Sequence, residues 1–124
     1  MPNYTAAVLE AAVPILTVTS LPEALDYYQR ILGFRVEWSW GEPPDRASVS
    51  RDGVELNLAQ SAEAPSGVSK VYFPMAGVDA YYADLVAAGA RVEVALADRA
   101  YGMRDFRIVD SSGNQLSFGE STHS

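Results

Sequence analysis

The chain has 124 residues, 48% of them hydrophobic, which is enough apolar material for one core and one domain. Nine basic residues against sixteen acidic ones give a formal net charge of -7, a balance that opposes binding to nucleic acid or anionic membranes. The absence of cysteine excludes disulfides and thiolate metal sites, no apolar run reaches the roughly 18 residues of a membrane span, and "MPNYTAAVLEAAVP" lacks the pattern of a signal peptide, so a cytoplasmic protein is expected.

"AVPILTV" is a short apolar run with β-branched residues and reads as the first strand. "LPEALDYYQRIL" follows, with Ser20 ahead of Pro22, Leu21, Leu25, Tyr28 and Leu32 at helical spacing, and Gly33 where a helix stops. "FRVEWSW" alternates Phe34, Val36, Trp38 and Trp40 on one face with Arg35, Glu37 and Ser39 on the other, which predicts a strand. "GEPPD" reads as a loop, and "ASVSRDGVELNLAQ" as two strands joined at Asp52 and Gly53. "SAEAPSG" is rich in small and turn-forming residues and reads as a linker.

The same order then repeats: "KVYFPM" as a strand, "VDAYYADLVAAG" as a helix ended by Gly89, then "ARVEVAL", "MRDFRIVD" and "NQLSFGE" as strands. Aligning Gly33 with Gly89 lays "GFRVE" over "GARVE", which points to an internal duplication. Two βαβββ modules, about 8–60 and 68–120, are expected within one domain spanning 1–124, with residues 121–124 as a flexible tail. Each module has too few strands to bury both faces of its sheet alone. The expected α+β architecture is a curved eight-stranded mixed sheet with helices on its convex side and a concave groove.

"LPEALDYYQRILGF", the hairpin before "VELNL", "VDAYYADLVAAG", "YGMRDF" and "VDSSGNQLSFGE" together resemble the vicinal oxygen chelate superfamily, in its glyoxalase and bleomycin-resistance branch. The resemblance runs from about Ala12 to Glu120. It implies the paired-module fold, but the superfamily includes metal isomerases, dioxygenases, thiol transferases and proteins that only bind a drug. Metal-using members place one ligand on the first and last strand of each module. Carried over by position, these fall at Val13, near Glu55, near Lys70 and at Ser117, which leaves one carboxylate among four places. No metal and no cofactor are therefore expected. His123, the single histidine, stands in the tail.

Without a cysteine, or a histidine in the body of the domain, the usual nucleophile and base pairs cannot be assembled, and no catalytic residue is assigned. Glu55 and Lys70 facing each other would form either a salt bridge or an acid and base pair. Arg104 and Asp105 read as a local ion pair, although their side chains would point to opposite faces of a strand. The expected ligand contacts are Trp38, Trp40 and Tyr101 as aromatic surfaces, Glu55, Asn57, Lys70, Tyr72 and Ser117 on the groove face, and Met103 as an adaptable apolar contact. Trp38 could equally continue the core face of Phe34 and Val36.

The function implied by the resemblance is metal-independent binding and sequestration of a bulky, partly aromatic small molecule such as an antibiotic, by a homodimer with grooves between subunits. The alternative is a metal-independent enzyme acting on a small natural product, with Glu55 or Asp105 as acid or base.

Overall fold

The structure is a computed structural model and describes residues 6–123. Its eight strands form two four-stranded mixed sheets. The first contains β1 (Ile15–Val18), β2 (Arg35–Gly41), β3 (Pro44–Arg51) and β4 (Val54–Gln60), in the order β1-β4-β3-β2. The second contains β5 (Lys70–Pro74), β6 (Arg91–Asp98), β7 (Met103–Val109) and β8 (Gln115–Ser121), in the order β5-β8-β7-β6. In each sheet the first strand lies parallel to the last and the remaining pairs are antiparallel, so the repeat read from the sequence is a repeat of topology.

Helix α1 (Leu21–Asp26) starts where Ser20 accepts a hydrogen bond from the Glu23 amide at 3.3 Å, with Pro22 in a first turn that needs no amide donor. It continues as a π-helical turn over Tyr27–Ile31, closed by the Leu32 amide donating to the Tyr27 carbonyl at 3.2 Å. Gly33 then takes φ +77, and a side chain there would strike the Arg51 guanidinium, which reaches past it to the Leu32 carbonyl at 2.8 Å. Helix α2 (Val78–Ala88) buries Val78, Tyr81 and Leu85 and ends at Gly89. Its first amides are capped from β8, where Glu120 accepts from both Gly77 and Val78 at 3.0 Å.

One hydrophobic cluster joins both modules. Leu16 and Val18 of β1 and Leu56 and Leu58 of β4 meet α1, while Phe106, Ile108, Leu116 and Phe118 of the second sheet meet α2. Each such side chain contributes roughly 1.5–3 kcal/mol on burial. Polar ties cross between the modules at two places. The Tyr28 hydroxyl donates to Asp110 at 2.8 Å, and Asn114 donates to the Thr17 carbonyl at 3.1 Å. At the other place, the Tyr81 hydroxyl donates to the Leu32 carbonyl at 2.8 Å, beneath the Arg51 guanidinium 4.7 Å from its ring centre. Tyr28, which the helical spacing includes, is buried, and Ser112 and Asn114 of the turn before β8 bond to the first module at Thr19 and Thr17.

Three local expectations change. "GEPPD" is mostly hairpin rather than open loop, because β3 already begins at Pro44. Val13 precedes β1 instead of lying in it. Arg104 and Asp105 do not pair: their side chains leave opposite faces of β7, Arg104 to Asp79 at 2.7 Å and Asp98 at 3.2 Å, Asp105 to Arg99 at 2.8 Å.

Candidate ligand-binding site

The face of each sheet turned away from its helix is open. On the first sheet, register puts Ile15 beside Asn57, Asn57 opposite Ser48, and Glu55 opposite Ser50. The tryptophans join this face through an irregularity. Val36 pairs with Val49 on the core side, but the next pair is Trp38 with Ser48, so Glu37 and Trp38 together oppose one residue. This β-bulge re-aims the strand. Strict alternation had placed Trp38 and Trp40 on the face of Phe34 and Val36; the bulge moves both tryptophans to the open face, where Trp38 is 42% and Trp40 71% exposed. β6 has the same break between Val92 and Val94.

Trp38 and Trp40 line a cleft of about 590 Å³ with Ser39, Asp45, Arg46, Ala59 and Gln60, within the range of small-molecule pockets. Gln60 is committed inward, accepting from the Leu21 amide at 2.6 Å. Arg46 carries no signal in the sequence that distinguishes it from the other charges near it.

Glu55 and Tyr72 instead line a second cleft, of about 710 Å³, between the modules, with Phe34, Phe73, Tyr81 and Phe118 among its apolar walls. Glu55 accepts a hydrogen bond from the buried Ser48 hydroxyl, and the expected contact with Lys70 is not made. Lys70 is exposed and stands opposite Gln115 in β8, and Ser117 stands opposite Tyr72. Asn57 and Gln115 occupy corresponding places, each beside the first residue of its module's leading strand, and each has a buried side-chain oxygen without a hydrogen-bond partner.

Tyr101 lies in the turn before β7, and its hydroxyl donates to Asp105 at 2.6 Å. The Tyr72 hydroxyl donates to the same carboxylate oxygen at 2.9 Å, and Arg99 holds the other oxygen. Burial pushes the Tyr72 phenol up to about 12, with the Asp105 hydrogen bond and charge acting in the same direction. Burial would raise the Asp105 carboxyl too, but the donors Tyr101, Arg99 and Tyr72 outweigh it and hold it below its ordinary value. Met103 is half-buried on β7 opposite Ser121. His123 is exposed, with its ring against Gly102.

A family model described as glyoxalase/bleomycin resistance protein/dioxygenase superfamily matches residues 7–118. The chain belongs to the glyoxalase/bleomycin resistance protein/dioxygenase superfamily. Among solved structures, TioX from Micromonospora sp. ML1 superposes with a TM-score of 0.81 at 21% identity, over 90% of this chain and 98% of that one. TnmS3, an antibiotic binding protein from Streptomyces sp. CB03234, gives 0.78 at 20% identity, over 94% and 99%. The bleomycin-binding protein of bleomycin-producing Streptomyces verticillus, in complex with copper(II)-bleomycin, gives 0.76 at 20%, over 90% and 96%. No curated protein matches the chain in sequence.

Superfamily membership raises the question of a metal, on which the side chains of the open faces bear. On the open faces the leading and closing strands pair Ile15 with Asn57 in one module, where Glu55 lies two residues before Asn57, and Lys70 with Gln115 and Tyr72 with Ser117 in the other. One carboxylate, two carboxamides and a lysine do not make a divalent-cation donor set. Among the described residues no three His, Cys, Asp or Glu side chains cluster as metal ligands.

Proposed function

We propose that this protein is a metal-independent binding protein that sequesters a bulky, partly aromatic small molecule, an antibiotic being the class that its superfamily neighbours suggest. The observation that carries this reading is the pair of exposed tryptophans turned by the β2 bulge into a cleft with Asp45 and Arg46. Indole faces left in water beside one acid and one base suit a ligand with a flat apolar body and polar substituents. TnmS3, described as antibiotic binding, and the bleomycin-binding protein share the fold and support the choice of ligand class.

Sequestration needs affinity and no reaction. The alternative acid and base route through Asp105 is not favoured, because both of its carboxylate oxygens already receive donors. A homodimer belongs to the proposal: Leu9, Ile15 and Trp40 are 99%, 60% and 71% exposed, and a second copy would cover part of this apolar surface. Sedimentation analysis would then give twice the chain mass, and a monomer at all concentrations would refute the dimer.

The binding test is fluorescence titration with bleomycin and a panel of polycyclic aromatic antibiotics. Saturable quenching by at least one compound is expected, and mass analysis of the recovered compound should find it unchanged. Flat titrations throughout would remove the sequestration reading; a modified compound would favour the enzyme.

A further inference from the structure

Asp105 is only 5% exposed, yet it lies on the open face of the second sheet beneath two tyrosines whose rings stand in solvent, Tyr72 at 43% and Tyr101 at 67% exposure. Three donors from two segments converge on it: Tyr72 from β5, and Arg99 and Tyr101 from the β6–β7 turn. We infer that Tyr72 and Tyr101 form a stacking subsite for a planar aromatic group of the ligand, and that Asp105 is the positioning residue that holds both rings. This rests on the sequestration reading and names the chemistry of one part of that site.

Four observations lead there. First, both hydroxyl protons are donated to one carboxylate, so the tyrosines keep ring surface but no free donor for a ligand. Second, Arg99 is consumed as well. Its Nε donates to Asp105 Oδ1 at 2.8 Å, and its Nη2 donates to the carbonyls of Ala95 at 2.7 Å and Asp105 at 3.1 Å, which leaves its charge turned inward. Third, β8 makes room for the arrangement. A side chain at Gly119, opposite Asp105 in the ladder, would collide with the Tyr72 hydroxyl. Fourth, tied phenols have already lost the rotamer freedom that a free surface tyrosine would lose on binding. The Tyr101 turn is itself closed by Arg99 donating to the Met103 carbonyl at 2.7 Å and Gly102 donating to Arg99 at 3.1 Å, so the ring is carried on a short, fixed loop.

Such a surface selects shape. Aromatic faces with their polar ends occupied stack against a flat ring system, electron-poor or cationic ones best.

The test has one arm without ligand and one with it. In ultraviolet titration of tyrosine ionisation, Asp105→Ala should bring Tyr72 down from about 12 toward the ordinary phenol value of about 10. In probe binding, ethidium and 9-aminoacridine should bind the wild-type protein. Asp105→Ala and the ring-preserving Tyr72→Phe/Tyr101→Phe pair should each weaken them about tenfold, and combining the three should add less than about twofold more. Gly119→Ala, which displaces the Tyr72 hydroxyl while keeping Asp105, should reproduce the loss and serves if Asp105→Ala does not fold. Unchanged tyrosine ionisation in Asp105→Ala would overturn the proposal. So would failure of both probes to bind the wild type, wild-type affinity in Tyr72→Leu/Tyr101→Leu, or a further loss on adding Asp105→Ala to that ringless pair. The bleomycin and antibiotic titrations read from the tryptophans judge sequestration separately, so either reading can fail alone.

Discussion

Trp40 is held by little besides its own strand, and its exposure sets what its removal should do. Trp40→Ala is expected to lower affinity for a quenching antibiotic by about tenfold, while its melting temperature stays within a few degrees of wild type. Calorimetry beside the binding titration checks both; a large drop in melting temperature would make the indole a packing residue. The buried phenols make a separate prediction in pH. Burial raises Tyr28 well above its ordinary value, helped by the Asp110 charge, and carries Tyr81 to about 12 despite the opposing effect of Arg51. A phenol whose folded value exceeds its unfolded value adds stability that is complete below about 10 and drains away as pH rises through the folded value. Chemical denaturation should therefore show stability falling above about pH 10, and Tyr81→Phe should flatten that fall.

At the scale of elements, much was legible because periodicity reports burial directly. Gly33 and Gly89 end their helices as expected, Asp52 and Gly53 make the hairpin, and both modules have the expected strands. The faces of β2 were not legible. Alternation is the signal by which a strand's faces are told apart in sequence, and a bulge resets it without a residue that announces the reset. The clustering around Asp105 was equally hidden: Arg99 and Tyr101 are its neighbours in sequence, but Tyr72 comes from β5 and only folding brings it there. Acrylamide quenching checks the β2 assignment: both tryptophans should be accessible in the free protein, Trp38 remaining so in Trp40→Phe, and a bound ligand should protect them. A blue-shifted, protected Trp38 would return it to the core.

For the whole molecule, the decisive residue is Asp110, which is completely buried at the joint between modules. It accepts from the Tyr28 hydroxyl at 2.8 Å, the amides of Ser112 and Asn114 at 2.8 and 2.9 Å, and Asn114 Nδ2 at 3.0 Å. Asp110→Ala leaves these donors facing a void and should cost about 3 kcal/mol or more. Because Tyr28 belongs to the first module, the loss should loosen both halves together. A single broad transition at lower denaturant is expected, whereas two separated transitions would show that the halves fold independently.

The shared break in β2 and β6 has a consequence for how such a scaffold changes its ligand. Val94 follows its bulge as Trp38 follows the other and pairs with Arg107 on the second open face. The backbone there is already bent to present a side chain outward. A single codon change at Val94 to an aromatic residue would furnish that face with a new contact surface while leaving the frame intact, so the two halves of the duplication can diverge in what they hold without diverging in how they fold.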